Sequence, residues 1–528
     1  MRGDQASEAS PRETGREPAS AGVRGHGPAR AGVGSQELWG GGAAAVRADV
    51  TALALIAIAT LLHVGYAGLF ALSPQEAYYW EWARRLDLSY FDHPPLASWT
   101  IAATTALFGQ SERAIRLAAA FHSTVFSVFF WLSVRRLFGS RPALLAIGVG
   151  LAVPLFSLGQ VVITPDGPLL SGWAIALYFT IRALDEERPA WLLAAGVGAG
   201  WAMLGKYTGA LLLPQILAAV ALDPRGRRML RTPWPYLGAA LALALFAPVV
   251  LWNARHALAS FEFQTGERVA HSSLRPVLVA RYVGLQAALV TPLVLFLAVE
   301  GAIAAWRRRA EAAFRLCAIF ALPLLLIATA VSPFHWVKGN WLAPVYPTAI
   351  AAAVALALEA RGWRWRLGQA ALALALLGTL YMHLVPIVPA VPFPARDETS
   401  SGWRALAERV EAERMRLGGD PFVAGCNYKV SSELAYYLPG RPRTWSGEIA
   451  GDHGLQYRYW FDPAALEGRA GILVLDPREG GTCERRDQAC RPLEPLEPLT
   501  VRRGGDVVTT FQLWRCEYVG PPAATAGR

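Results

Sequence analysis

Apolar residues along this chain fall into blocks of roughly 16 to 24 positions that carry almost no charge. The blocks cover 50–72, 116–134, 142–160, 167–183, 189–204, 207–222, 236–252, 281–304, 314–332, 340–358 and 367–388. At about 1.5 Å of rise per residue, such blocks are at or near the length that crosses about 30 Å of hydrocarbon. The pattern predicts an all-α polytopic membrane protein of roughly eleven transmembrane helices. The first block is long for the apolar core of a cleaved signal peptide, so it is expected to be an uncleaved anchor.

The stretches between the blocks divide the chain. Residues 1–46, rich in Gly, Ala, Arg, Ser, Glu and Pro, lack periodicity and are expected to form a disordered cytoplasmic tail. Residues 47–395 form the membrane domain, in which 73–115 and 253–280 have helical periodicity but are too polar to span. Residues 396–528 turn polar and read as a separate small α/β extracytoplasmic domain. Strands are expected there at 421–424, 471–476 and 507–514, and helices at 400–416 and 431–438.

Composition agrees with this picture. Hydrophobic residues make up 54% and charged residues 17% of 528 residues, below the ~25% charged content of ordinary soluble domains. The net charge of +10 does not point to nucleic acid, because the arginines sit between apolar blocks. They occupy every second connection: Arg135, Arg136 and Arg141; Arg182 and Arg188; 225–231; 307–315; and 361–366. The positive-inside rule places these in the cytoplasm. The N-terminus is then cytoplasmic and the C-terminal domain lies outside the inner membrane. Of the five cysteines, Cys317 lies in an apolar block; Cys426, Cys483, Cys490 and Cys516 fall in the outer domain. There at least one disulfide is expected, its connectivity open among three possibilities.

The polar residues inside the membrane domain converge on the outer side. Glu76 follows the first block, Asp92 and His93 precede two prolines, and Asp166 opens a later block. Lys206 and Tyr207, then His335, Lys338 and Asn340, lie at other outer ends. Each has an ordinary reading: a helix cap for Asp166, a rigid turn for Asp92-His93, snorkelling for the lysines. On one face together, they suggest an acid-lined outward cavity with lysines nearby, since ionisable groups at span ends are costly unless they pair or meet water. A carboxylate there can take a proton from an attacking hydroxyl, and lysines can hold a departing phosphate. No Walker A loop, dinucleotide glycine fingerprint or metal-ligand spacing occurs. No cofactor is therefore expected beyond a membrane-borne donor substrate.

Five ordered motifs carry a family resemblance over about residues 50–350. They are Glu-Ala-Tyr-Tyr-Trp at 76–80, Tyr-Phe-Asp-His-Pro-Pro-Leu at 90–96, Thr-Pro-Asp-Gly-Pro-Leu at 164–169, Lys-Tyr-Thr-Gly at 206–209 and Lys-Gly-Asn-Trp-Leu-Ala-Pro at 338–344. In these the chain resembles the bacterial dolichyl-phosphate-mannose protein mannosyltransferase superfamily, which includes glycosyltransferase family 39 and the aminoarabinose transferases. The resemblance implies a GT-C fold and inverting transfer of one sugar from a polyprenyl-phosphate carrier to a glycan, lipid or protein acceptor. It implies Glu76 and Asp92 as candidate catalytic carboxylates, with Glu76 expected as the base because it matches the paired acidic motif, and Asp92 expected to hold the acceptor or its loop. His93, Asp166, Lys206, Tyr207, His335, Lys338 and Asn340 are the candidate substrate-binding residues. Family members usually carry Asp-Glu where this chain has Gln75-Glu76. That departure keeps a non-catalytic, lipid-binding homologue in view, beside a polyprenyl-glycan flippase. The flippase reading lacks the internal symmetry that transporters show.

Overall fold

Helices form where the apolar blocks lie; proline or glycine ends several of them, while Pro248 and Pro323 are accommodated inside helices. The computed structural model describes residues 42–267, 273–360, 362–394, 397–450, 454–479 and 483–520. Most of the expected tail therefore lies outside the described residues; its last positions, from residue 43, open the first helix. The membrane part contains α1 (Ala43–Tyr66), α2 (Pro74–Ala83), α3 (Leu96–Phe108), α4 (Glu112–Phe138), α5 (Ser140–Ala152), α6 (Pro154–Leu158), α7 (Asp166–Asp185) and α8 (Trp191–Gly205). It continues through α9 (Leu212–Leu222), α10 (Pro224–Met229), α11 (Trp234–Arg255), α12 (Ala259–Glu262), α13 (Val277–Val290), α14 (Pro292–Arg307), α15 (Ala312–Val331), α16 (Tyr346–Ala360) and α17 (Gly362–Leu384). Among the described residues, six helices (α1, α4, α7, α11, α15 and α17) are long and apolar enough to cross a membrane, or seven if bent α13–α14 is one span. Shorter apolar helices fill the remaining blocks.

Two blocks expected to be continuous are broken at prolines. Pro154 starts α6 after extended Val153. Pro292 starts α14 after Thr291 at φ 69°, and the chain turns by 105° between α13 and α14. Proline has no N–H to continue the preceding helix, and its ring clashes with the turn before it. The block at 340–358 likewise opens as a 3-10 turn, Gly339–Leu342, and becomes helical only at Tyr346.

Ion pairs gather the arginine-bearing connections at one end of the bundle. Arg135 meets Asp49 (2.9 Å), Arg136 meets Asp185 (3.0 Å) and Arg228 meets Glu187 (2.7 Å). Arg315 meets Asp223 (2.8 Å), and Arg308 meets Glu359 (2.5 Å). The motif residues collect at the opposite end. There α7 and α8 touch through glycines: a Cβ on Gly205 would stand 2.6 Å from the Leu169 nitrogen, and one on Gly172 2.4 Å from the Ala202 nitrogen. Larger residues would push the helices apart, so glycine sets how near the two helix ends lie.

The C-terminal part holds α18 (Trp403–Leu417), β1 (Phe422–Gly425), α19 (Tyr428–Tyr437), β2 (Ala470–Leu475), α20 (Arg486–Ala489), β3 (Cys490–Pro495), β4 (Leu499–Arg503) and β5 (Asp506–Tyr518). The sheet runs β1-β2-β5-β3 with β4 also on β5; β1 and β2 are parallel and the β5 pairings antiparallel. Disulfides join Cys426 to Cys483 and Cys490 to Cys516, and Cys317 is a free buried thiol. A shared core docks this part on α2: Tyr78, Trp80 and Trp82 pack with Ala435, Tyr436 and Tyr457.

Candidate active site

The site is built on two carboxylate-bearing segments and a third cluster beneath them. Glu76 sits in the first turn of α2, fully buried. Its Oε2 accepts from the Ser73 N–H and hydroxyl, both at 3.0 Å. Arg116, near the start of α4, donates from Nε to Oε1 and from Nη2 to Oε2, both at 2.9 Å. The same guanidinium binds the carbonyls of Ala67 (2.7 Å), Phe70 (2.9 Å) and Ala71 (2.8 Å). Ala67 is the C-cap of α1, whose carbonyl lacks a helical partner, and Phe70 and Ala71 follow in the loop to α2. Glu76, expected as a candidate base, thus lies in a bidentate ion pair that ties three segments together. Gln75, beside it, donates its amide to the Tyr428 hydroxyl at 3.0 Å.

Asp92 is held differently. It is buried, and its Oδ1 accepts from the Tyr78 hydroxyl at 2.9 Å. The Tyr78 oxygen in turn accepts from the Gln456 N–H at 2.9 Å, while the Gln456 side-chain oxygen accepts from the Phe91 N–H at 2.7 Å. Burial first, and then the Asp92 charge, hold the Tyr78 pKa well above the usual phenol value, so Tyr78 stays a donor at neutral pH. The Gln264 side chain donates to the Asp92 carbonyl at 2.7 Å. His93 lies edge-on to Tyr79, with ring centroids 6.4 Å apart. The Tyr207 phenol oxygen lies 2.5 Å from the Ser260 hydroxyl.

The third cluster joins three motifs. Lys206, just past α8, donates to Asp166 Oδ1 at 2.8 Å, and Asn340 donates to Asp166 Oδ2 at 2.5 Å. Lys206 and Asp166 are buried. A cavity of about 280 Å³ opens beneath, with Asp166 and Asn340 at one side and His122, Phe126, Phe130 and Ile147 among its walls. Its lining is predominantly apolar with few polar groups, as small-molecule sites commonly are.

The structure brings Asp166, Lys206 and Asn340 into contact and joins Asp92 and Tyr207 to one segment, through Gln264 and Ser260. Lys338 is exposed where the 3-10 turn begins, and His335 is half-buried with its backbone N–H on the Val331 carbonyl. Sequence reasoning missed Arg116, Tyr78 and Gln456. Arg116 had a signal, since it is an arginine placed inside an expected apolar block, at its outer end. Gln456 had none, being 378 positions from the tyrosine it holds.

Residues 92–252 match the family described as dolichyl-phosphate-mannose-protein mannosyltransferase. The lipid A galacturonosyltransferase RgtD of Rhizobium johnstonii is 25% identical over 417 residues, 77% of this chain and 86% of that one. An undecaprenyl phosphate-alpha-4-amino-4-deoxy-L-arabinose arabinosyl transferase of Pseudomonas savastanoi is 29% identical over 189 residues, 31% of this chain and 34% of that one. ArnT from Cupriavidus metallidurans, solved bound to undecaprenyl phosphate, shares the fold: TM-score 0.60 at 17% identity, over 90% of this chain and 99% of that one. Over residues 92–252 in sequence, and over most of its length in fold, the chain is thus similar to membrane glycosyltransferases.

Proposed function

We propose that this chain moves a single sugar, hexosyl or pentosyl, from a polyprenyl-phosphate carrier to an acceptor hydroxyl or phosphate at the outer face of the inner membrane. The observation that carries this reading is the Lys206–Asp166–Asn340 cluster at an apolar cavity, with Asp92 and the adjoining Tyr207 both bonded to the 259–267 segment, through Gln264 and Ser260. The names of the relatives support it, since one is a galacturonosyltransferase and the other uses an undecaprenyl-phosphate sugar. Positive-inside orientation makes the arginine end cytoplasmic. The proposed topology then has eleven crossings, a cytoplasmic N-terminus and the C-terminal sheet outside.

For a hydroxyl acceptor, Asp92 takes the proton as the oxygen attacks the anomeric carbon opposite the phosphate. The bond from that carbon to the phosphate oxygen breaks, its electron pair stays with the carrier, and the configuration inverts. Lys206 and Asn340 are already fixed by Asp166, so they can hold the phosphate and meet its growing charge without reorganising. Lys338, exposed beside Asn340, supplies a second cation; His93, Tyr207 and His335 line the approach. We place the base at Asp92 rather than Glu76 because Arg116 already takes both Glu76 oxygens.

The test uses the purified chain in vesicles with a synthetic polyprenyl-phosphate sugar. Lys206→Glu should abolish donor binding, because a phosphate would then face like charge. Normal donor binding in that variant would remove the lysine from the site. Asp92→Asn should bind donor and fail to transfer.

A further inference from the structure

At the arginine end of the bundle, away from the candidate active site, α14 and α15 each turn an apolar stripe outward. On α14 the stripe is Val299, Ala302, Ile303 and Trp306; on α15 it runs from Arg315 through Ala318, Ile319 and Leu322 to Leu326. These spacings of three and four put each set on one helix face. Between the two stripes lies a groove of about 960 Å³, with Leu222 of α9 also on its wall. Ala302 and Ala318 are buried, and their small side chains leave it deep. Ile303, Trp306 and Leu326 stay exposed, at 45%, 55% and 64%.

The groove is charged at one end. Arg309, in the connection between the helices, and Arg315, in the first turn of α15, belong to its walls. Arg308 takes the carboxylates nearby, Glu311 at 2.7 Å and Glu359 at 2.5 Å. Arg309 is exposed; it donates to the Trp306 carbonyl at 2.9 Å and lies over that ring, 4.3 Å from its centroid. Arg315 pairs with Asp223 at 2.8 Å, but Arg225 uses the same carboxylate at 3.2 Å. Arg225, Arg309 and Arg315 are thus set against one carboxylate, which leaves positive charge in excess at the mouth.

Length decides what kind of ligand fits. From Arg315 to Leu326 the α15 wall runs about 16 Å at 1.5 Å of rise per residue. Half of a hydrocarbon core is about 15 Å. The groove is therefore one leaflet deep, cationic at headgroup level and apolar below, with Trp306 at the boundary where tryptophans collect. A soluble anion would use the arginines and not the apolar wall. A neutral lipid would use the wall and not the excess charge. Basic pockets between helices at the cytoplasmic side suit anionic headgroups.

We propose that this groove binds one anionic glycerophospholipid, its phosphate held by Arg309 and Arg315 and an acyl chain laid along Val299, Ile303, Leu322 and Leu326. Guanidinium forks match phosphate oxygens bidentately. Under the orientation proposed above, this lipid belongs to the cytoplasmic leaflet. It is neither donor nor acceptor, since the Lys206 cluster lies at the other end of the bundle. Seated there it bridges α14 and α15, so it stabilises the folded chain by mass action.

The experiment uses the full chain, delipidated in a neutral detergent. Native mass spectrometry reads bound lipid, and the melting temperature reads stability. The probes are phosphatidylglycerol and phosphatidylcholine with the same acyl chains, and water-soluble glycerol phosphate. One phosphatidylglycerol should bind per chain, roughly 10- to 30-fold more tightly than phosphatidylcholine, as two basic residues at an anionic headgroup imply. It should raise the melting temperature, and glycerol phosphate at the same concentration should not. R309Q should weaken phosphatidylglycerol about 5-fold and leave phosphatidylcholine unchanged. I303W should fill the groove and exclude both lipids. Both variants should bind the polyprenyl-phosphate sugar as wild type does. Equal binding of the two lipids, or an unchanged preference in folded R309Q and I303W, overturns the proposal. So does glycerol phosphate that binds as tightly as the lipid, which would leave an anion site without an acyl chain. A dimer that excludes lipid overturns it too and makes the groove an interface between copies. The lipid comparison is made on wild type, so it decides even where neither variant folds.

Discussion

The two buried carboxylates, Glu76 and Asp92, lie sixteen residues apart in sequence and are treated in opposite ways. Glu76 is saturated by a cation: Arg116 takes both oxygens while capping the end of α1. Asp92 is held by a neutral phenol, and that phenol is set by a residue of the C-terminal part. A carboxylate locked to a guanidinium has its charge consumed in holding structure. The Tyr78 contact, by contrast, gives Asp92 a donor without adding a cation. Under the proposed mechanism the partner, rather than position in a family motif, decides which acid reacts.

The sharpest way to break that contrast is to neutralise the second acid. Asp92→Asn keeps shape and removes proton acceptance, so turnover should fall by roughly 10²–10⁴-fold with donor binding retained. Single-turnover transfer from a synthetic polyprenyl-phosphate sugar measures it. Near-normal turnover would return the base to Glu76.

The first acid should answer in stability instead. Arg116→Ala leaves Glu76 buried without its cation and strips three carbonyls of a donor. Removing one partner of a buried pair costs about 3–5 kcal/mol. Thermal unfolding in detergent should show the loss. Glu76→Gln should lower stability too, with any fall in transfer tracking the folded fraction. A Glu76→Gln protein that melts like wild type and transfers nothing would reverse the comparison.

How much of this was legible in sequence follows from how far apart the interacting residues lie. The apolar blocks carried the bundle, because their period and length act locally. Their breaks at Pro154 and Pro292 were missed by treating blocks as continuous. In the C-terminal part, the apolar strands now seen as β1, β2 and β5 stood out, whereas β3 and β4 did not. The run Cys490–Pro495 holds two prolines, an arginine and a glutamate, and it is a strand because β5 pairs with it. The Asp166–Lys206–Asn340 cluster was legible as residues and as an end of the bundle. Its contacts were not, since glycines on α7 and α8 set the approach. The anchor on Asp92 was the least legible part, as it arises only when two distant regions dock.

A smaller effect isolates the phenol. Tyr78→Phe keeps the ring in its packing and deletes the hydrogen bond to Asp92. A hydrogen bond to a charged group contributes about 1.5–3 kcal/mol. If roughly half of that orients Asp92 for reaction, kcat should drop about 10-fold. The KM for donor should hold, because the Lys206 cluster is untouched. A change in KM alone would make Tyr78 a wall of the donor site rather than a support for the base.

The smallest expected effect tests whether the C-terminal part reaches the chemistry at all. Gln456 touches the Asp92 segment twice, but by different atoms. Its backbone N–H holds Tyr78, and its side-chain oxygen holds the Phe91 N–H. Substitution leaves the first bond and removes only the second. A neutral hydrogen bond contributes about 0.5–1.5 kcal/mol, so Gln456→Ala should slow transfer roughly 3- to 10-fold if that bond positions Asp92. Gln456→Glu keeps an acceptor oxygen in reach of Phe91 and should recover most of the rate. Ala and Glu variants with equal melting temperatures and unequal kcat would show that the oxygen acts by aiming Asp92. Equal rates in both would mean that Gln456 merely fills space, and that Tyr78 alone sets the carboxylate apart from its ion-paired neighbour.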